Sequence, residues 1–309
     1  MIDSHGHILT TQALGKPGVA PTWTSSAKDL VLTTLGRGRV WATLGHGMLN
    51  EVYWPVTGQP QVRDLGFIVA GEGWWAELKR VNSYQLSQPE PYIPLPKVMH
   101  QGDKYRLTLE FLADPGRDAL LISFQLEGAG LRLYPLLAPH LGVSGWNNTA
   151  WVDKGLLARK DDQSLCLMSD TPFIRASAGY VGYSDGWQDF NRNGRMTWGF
   201  PRAEDGNVAL MGEIDAGEGV LALAFAATPE GARTLVASAL AEGYPAIRER
   251  FIAGWQSWAK QLRLPDCTAE LDREAKLSAC VLRVHEDRTY PGALVASLAI
   301  PWGNTSNSA

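Results

Sequence analysis

The chain has 309 residues, of which 45% are hydrophobic and 19% charged, and its formal net charge is −4. This composition is typical of a globular protein with a large core. The mixed charges argue against a nucleic-acid surface, which needs clustered Lys and Arg. The sequence contains no run of 18 apolar residues, so it predicts no membrane-spanning helix. We therefore expect partners that are neutral or weakly charged.

The beginning of the chain and its cysteines carry little functional signal. Residues 1–15 are interpreted as a poorly ordered leader, and MIDSHGHILTTQ lacks the basic and apolar segments of a signal peptide, which leaves the localisation open. Cys166, Cys267 and Cys280 form no CxxC pair, and their odd number leaves at least one unpaired. We expect reduced thiols that pack as small hydrophobic groups.

Residues 16–229 have the pattern of β-strands. In YRLTLEFLAD, the alternation places Leu107, Leu109 and Phe111 on one face of a strand. Similar segments follow at short spacing, separated by turn residues: ALLISFQLEG, LRLYPLLAP, NVALMGEIDAG and GVLALAFAAT. Many short strands predict an antiparallel sandwich rather than βαβ units. No GxGxxG or GxxxxGKS motif follows a strand, so nucleotide binding has no support.

The pattern becomes helical near Pro229, and we assign residues 230–265 to a helical linker. The segment TPEGARTLVASALAEG begins with Thr228 as an N-cap and ends at Gly243. A second helix is predicted from about Pro245, with apolar residues at helical spacing: Ile247, Phe251, Trp255 and Trp258.

Residues 266–309 are interpreted as the start of an all-helical region that is too short to close a core of its own. Thr268 is the predicted N-cap of its first helix, and His285 is expected to contact the carbonyl groups at the end of that helix. The predicted buried stripe consists of Leu277, Val281 and Val284.

Several stretches, taken together and in order, resemble the bacterial and archaeal glucoamylase–glucodextranase family of glycoside hydrolases. The similarity extends from Lys16 to about Asn304. The stretches that carry it are KPGVAPTWTSSAKDLV, RVWATLGHGMLNEVYWP, RDLGFIVA, GYVGYSDGWQDF, AEDGNVALMGEID and HEDRTYPGALVASLAIPWG.

The resemblance implies a mainly β fold: an antiparallel super-β-sandwich, a helical linker, and the first helix of an incomplete (α/α) six-fold barrel. It also implies an enzyme that releases glucose from the non-reducing ends of α-glucans with inversion. The linkage preference, α-1,4 or α-1,6, stays open. The implied partners are an α-glucan and the rest of the barrel, in cis or in trans.

The resemblance assigns no catalytic residue to this chain. In the family, the segment that resembles IPWG leads into an Arg-Asp pair that grips the terminal sugar, and two catalytic glutamates lie much further on. This chain ends in NTSNSA before any of them, and its Arg63-Asp64 pair belongs to RDLGF in the sandwich. We therefore expect the 309 residues alone to be inactive.

A calcium site is one candidate among the remaining motifs. In DFNRNGR, Asp189, Asn191, Asn193 and Gly194 have the 1-3-5-6 spacing of a calcium loop. The twelfth position is Phe200 rather than Glu, and the motif has one carboxylate, so a polar hairpin turn is the preferred interpretation. No other cofactor is predicted.

Three aromatic-rich segments invite a sugar-binding interpretation. The resemblance implies that Trp302 approaches the barrel mouth, where its indole would stack on a glucose ring or, without the rest of the barrel, lack its surroundings. For HGMLNEVYWP, residues 46–55, a structural role facing the barrel is preferred. For SDGWQDF, residues 184–190, Asp185 and Gly186 indicate a turn and Trp187 is expected to pack.

Three hypotheses for the function stay open at this point. The chain is the N-terminal portion of a glucan hydrolase, a stand-alone sandwich that binds α-glucan, or a partner that docks on a separately made barrel. The segment PGALVASLAIPWG favours the first, because a binding module has no use for a barrel entry and residues 293–302 would form an exposed apolar patch.

Overall fold

The computed structural model describes residues 12–24, 27–264, 266 and 268–300. Its strands are β1 Leu30–Thr33, β2 Trp41–Gly45, β3 Met48–Tyr53, β4 Pro60–Gly71, β5 Trp74–Glu77, β6 Tyr84–Ser87, β7 Lys97–Gln101, β8 Arg106–Ala113, β9 Ala119–Glu127, β10 Arg132–Pro139, β11 Asn148–Val152, β12 Leu156–Lys160, β13 Gln163–Ser169, β14 Arg175–Tyr180, β15 Arg202–Gly206, β16 Val208–Glu213 and β17 Glu218–Ala226. Its helices are α1 Leu78–Val81, α2 Gly186–Asn193, α3 Pro229–Glu242, α4 Tyr244–Gln261 and α5 Ala269–Val284, with a short 3₁₀ turn at Leu141–Val143.

The strands form two antiparallel sheets that pack face to face. The eight-stranded sheet has the order β1-β2-β3-β4-β10-β16-β14, with β5 paired to β4. The nine-stranded sheet has the order β15-β11-β12-β13-β17-β9-β8-β7-β6. The predicted antiparallel sandwich is confirmed.

The main core lies between the two sheets and follows from the alternation of the strands. Leu107, Leu109 and Phe111 on β8 are fully buried in it, as predicted, and Leu65 and Phe67 on β4 face them from the opposite sheet. Their neighbours Asp64 and Gly66 therefore point to the outer face of the eight-stranded sheet.

The outer face of the nine-stranded sheet is covered by helices. Its small apolar side chains pack against a helical stripe that contains the fully buried Trp255 and Phe251, in one continuous cluster. Glu110 on β8 fixes α4 in place, because its carboxylate accepts hydrogen bonds from Tyr244 Oη at 2.8 Å and Arg248 Nε at 2.7 Å.

The predicted helix boundaries agree closely with the structure. The Thr228 side chain accepts a hydrogen bond from Gly231 N at the start of α3, and Gly243 ends that helix. The Thr268 hydroxyl accepts from Leu271 N at the start of α5. At the end of α5, His285 Nδ1 lies 2.7 Å from Val281 O, as predicted.

The predicted buried stripe of α5 was wrong in two of its three residues. Val284 is buried together with Cys280, whereas Leu277 and Val281 are 40% and 49% exposed. Among the described residues of α5, Cys280 and Val284 are the buried ones, so the contact of this helix with the sandwich is narrow and leaves Leu277 and Val281 partly exposed. Cys166 is also buried, and neither it nor Cys280 is bridged, while Cys267 lies outside the described residues.

The leader partly belongs to the folded unit. Residues 1–11 lie outside the described part of the chain, whereas Ala13 is buried and its N–H bonds to Arg202 O. Leu14 O accepts a hydrogen bond from Ser184 Oγ at 2.6 Å. Among the helices that the structure describes, none is long and apolar enough to cross a membrane.

Candidate functional site

One cavity, which we call the sheet groove, lies on the outer face of the eight-stranded sheet and has a volume of about 730 Å³. Its floor contains small side chains on adjacent strands: Gly66 on β4, Ala138 on β10 and Ala209 on β16. Pairing of β10 with β4 sets Leu136 opposite Gly66 and Ala138 opposite Asp64. The small residues leave a concavity where larger ones would fill the space.

Two rims enclose the sheet groove. One is α1 with its flanking residues, which contributes Glu77, Lys79, Arg80 and Asn82. The other is the turn from β14 into α2, which contributes Asp185, Trp187 and Gln188 among others. Asp185 shapes this second rim because its side chain caps α2 by accepting from Gln188 N at 3.0 Å and also accepts from Gly182 N at 2.6 Å.

A hydrogen bond joins the two rims. Trp187 Nε1 donates to Glu77 Oε2 at 2.7 Å, and the same oxygen lies 2.7 Å from Arg80 Nε. The Arg80 guanidinium lies 4.5 Å from the centre of the Trp187 ring. These contacts fix the orientation of an indole that is only half-buried.

The charges at the floor are paired. Lys79 Nζ lies 3.4 Å and Arg63 Nε 3.8 Å from Asp64 Oδ2. Burial would raise the pKa of Asp64, but Arg63 and Lys79 outweigh it and hold that pKa below its ordinary value. Burial raises the pKa of Asp185, although the Gln188 and Gly182 N–H groups oppose that shift.

A second candidate feature connects the sandwich to the segment after α5. Asp287 is 4% exposed, and its Oδ2 accepts from Thr57 N at 2.7 Å and Thr57 Oγ1 at 2.9 Å. Its Oδ1 accepts from Thr289 N at 2.7 Å and Tyr290 N at 2.9 Å. Burial would raise the pKa of Asp287, but these donors lower it below the ordinary value.

Of the apolar patch expected at residues 293–302, the described part, residues 293–300, is exposed only in part. Leu298 is buried against Trp41 and Tyr53 of the eight-stranded sheet, and Ile300 is 6% exposed, whereas Leu294 is 58% exposed. The sandwich therefore binds the segment that follows α5. The segment HGMLNEVYWP contributes to this contact through Tyr53, in keeping with the structural role predicted for it.

The segment DFNRNGR forms neither a calcium loop nor a hairpin turn, because it lies at the end of α2. Asp189 is buried, and its carboxylate accepts from Asn193 Nδ2, Thr197 N, Thr197 Oγ1 and Trp198 N at 2.6–2.8 Å. Asn191 and Asn193 are exposed on the helix. Across the described ranges, no group of three or more His, Cys, Asp or Glu residues is arranged to hold a metal.

Of the other predicted site residues, Trp302 lies outside the described residues. Arg63 and Asp64 lie on β4, in the sandwich as predicted, and line the sheet groove. Trp187, expected to pack, lines the groove as well. Asp185 and Gly186 open a helix rather than a turn, since an Asp side chain caps a helix as readily as it starts a turn.

Sequence reasoning missed the roles of Glu77, Arg80 and Asp287. The signal for Asp287 was present, because an Asp followed two residues later by Thr is typical of a turn in which the carboxylate accepts backbone N–H groups. No local signal indicated Glu77 or Arg80, since they are more than 100 residues from Trp187 in the chain.

Two comparisons of the sequence with known proteins point to the same family. A family model described as glucodextranase, domain N, matches residues 13–260. The glucoamylase of Clostridium sp. (strain G0005) is 28% identical over 312 residues, which cover 94% of this chain and 44% of that protein.

Solved structures agree with the sequence matches. The crystal structure of a bacterial glucoamylase complexed with acarbose superimposes with a TM-score of 0.90 at 26% identity, covering 96% of this chain and 46% of that one. A family GH92 glycosyl hydrolase, ccman5, matches with a TM-score of 0.53 at 11% identity, which shows a shared fold alone. This chain spans less than half the length of each of these relatives.

Proposed function

The chain belongs to the glucodextranase domain N family, and from that premise we propose that it is the N-terminal portion of a hydrolase that releases glucose from the non-reducing ends of α-glucans with inversion. The observation that carries the proposal is the match of nearly the whole chain to two glucoamylases. In this proposal, residues 16–229 are the sandwich, residues 230–265 the linker and residues 266–309 the start of the catalytic barrel.

The surface of α5 supports a role in presenting a further domain. Its outward side carries Leu271, Leu277, Val281 and Leu282, which are 40–64% exposed. A folded protein seldom leaves four large apolar side chains of one helix open, so a second layer of helices is the expected cover. Asp287 and Leu298 attach the chain to the sandwich immediately after α5, which sets the position from which such a layer would start.

The carboxylates of the sheet groove support placing catalysis elsewhere. Inverting hydrolysis needs one carboxyl to protonate the leaving oxygen and another, about 6.5–9.5 Å away, to activate a water. Asp64 is paired with Lys79, Glu77 holds Trp187 and Arg80, and Asp185 caps α2. Each is occupied by a structural contact, so we assign no catalytic residue in the sheet groove.

Two measurements on protein purified from its source test the proposal. We expect an intact mass about twice the 33.7 kDa of these 309 residues, given the share of each relative that is covered. We also expect glucose release from maltodextrin or dextran, with the β-anomer as the first product by NMR. An α-anomer, absence of hydrolysis by the natural product, or glucose release by the pure 309-residue chain would each contradict the proposal.

A further inference from the structure

We propose that the sheet groove is a binding site for a neutral oligosaccharide of the α-glucan type. Its volume of about 730 Å³ is within the range of about 300–1,000 Å³ that small-molecule sites occupy. The choice of an α-glucan rests on the proposed function, whereas the neutral, polyhydroxylated character of the ligand follows from the groove itself.

The charge of the groove selects against ionic ligands. Its lining has three cations, Arg63, Lys79 and Arg80, and three carboxylates, Asp64, Glu77 and Asp185. The carboxylates would repel an anionic ligand, and the guanidinium and ammonium groups would repel a cationic one, so either would bind at an electrostatic cost. A ligand that both donates and accepts hydrogen bonds through hydroxyl groups can use both sets.

The groove also offers polar groups beside an apolar floor. The Arg63 side chain lines the groove and is partly exposed, so the accessible N–H groups of its guanidinium can donate to a ligand hydroxyl. Gln188, Asn82 and His46 add amide and imidazole groups at the edges, next to the apolar surface of Met48, Leu136 and Ala138. Sugars present hydroxyl groups at their edges and C–H groups on their faces, which matches this distribution.

Trp187 supplies a pre-positioned aromatic surface. Its ring is held through Glu77 and contacted by Arg80, so the indole does not have to be ordered when a ligand arrives. Fixing a side chain before binding lowers the entropic cost of association. Trp187 is therefore the residue whose removal should weaken sugar binding most.

Calorimetric titration of the 309-residue chain with maltotriose and isomaltotriose tests the inference, with cellotriose as the control ligand. We expect a dissociation constant of about 1 mM or lower for at least one α-linked trisaccharide. Trp187→Ala should weaken it about tenfold or more, and Arg80→Ala about threefold. Trp146→Ala, which removes an exposed Trp outside the groove, should leave it unchanged.

The outcomes separate this inference from the proposed function. Arg80 is exposed at the surface, so its variant reports on the groove even if Trp187→Ala unfolds. The absence of binding, tighter binding of cellotriose, or binding unaffected by Arg80→Ala and by a folded Trp187→Ala would overturn the inference. Hydrolysis by the natural product would still stand in those cases. Binding to the groove without hydrolysis by the natural product would overturn the proposed function alone.

Discussion

The two outer faces of the sandwich differ sharply, although the same alternation of residues builds both. The nine-stranded sheet presents Ala119, Leu121 and Ala222 outward, where α3 and α4 cover it, α4 through Phe251 and Trp255. The eight-stranded sheet presents Asp64, Gly66 and Ala138 outward and is covered only in part, by α2 and by the segment after α5, so the sheet groove stays open. An apolar outer face must acquire a cover, whereas a small and charged one can remain a site.

The largest loss of stability is expected from a substitution on the covered face, which is the outer face of the nine-stranded sheet. Trp255→Ala removes a fully buried ring from the cluster between α4 and the nine-stranded sheet and should lower the free energy of unfolding by about 3–5 kcal/mol. Urea unfolding followed by circular dichroism measures this change. Trp146→Ala, at a position that is 39% exposed, should change it by less than about 1 kcal/mol. Equal effects of the two variants would contradict the assignment of Trp255 to the core of this cover.

A smaller effect is expected where the sandwich binds the segment after α5. Asp287→Ala leaves the N–H groups of Thr57, Thr289 and Tyr290 without their acceptor and should cost about 2–3 kcal/mol. Hydrogen exchange should show faster exchange of these amides, while the strands of the core keep their protection.

The control for Asp287 is Glu274→Ala, an exposed carboxylate on α5. Because the pKa of Asp287 is lowered in the folded state, its contribution is present above the ordinary Asp value of about 3.9 and is lost as the pH falls through the lowered value. The difference between wild type and Asp287→Ala should therefore be constant from pH 7 to about pH 5. A difference that vanishes within that window would contradict the assignment.

Acid should lower the free energy of unfolding through a buried histidine. His140 is 1% exposed, its ring packs edge-on against Trp23, and neither ring nitrogen has a partner among the described residues. Burial, with a further contribution from Arg63, lowers its pKa to about 3. The unfolded chain takes up a proton near pH 6.5 and the folded chain does not, so stability falls as the pH drops below 6.5.

The size of this effect is about 2 kcal/mol between pH 7 and pH 5, from the separation of the two pKa values. Unfolding free energies of the wild type and His140→Leu, measured at both pH values, test it. The variant should lose about 2 kcal/mol less than the wild type over this interval, whatever its stability at pH 7. His100, whose pKa burial also lowers, keeps part of the slope in both proteins. Parallel slopes would contradict the prediction.

The sequence predicted the features that depend on neighbouring residues. Alternation in β8 indicated its buried face, and Thr228, Gly243 and Thr268 marked helix ends, because strand and cap patterns are local. The pairing of β10 with β4 and the meeting of Glu77 with Trp187 join residues distant in the chain, and no local pattern encodes them. The error at α5 has the same origin, since helical spacing indicates a stripe but only the neighbouring sheet decides which side is buried.

The smallest change in stability is expected at the floor of the sheet groove, where a substitution should stabilise the protein. Gly66→Ala places a methyl group 3.1 Å from Met48 Sδ, and the flexible thioether can move aside. Replacing a strand glycine reduces the conformational freedom of the unfolded chain, so we expect a gain of about 0.5 kcal/mol in urea unfolding. Gly179→Ala on β14 is the matched control, because its Cβ would lie 2.0 Å from Ser184 O, a backbone atom that cannot yield cheaply. That variant should be destabilised by more than about 2 kcal/mol.

Destabilisation of both variants would mean that the floor is as tightly packed as the rest of the sheet. A stabilised Gly66→Ala with weaker trisaccharide binding would instead indicate that the glycine is kept for the space it leaves.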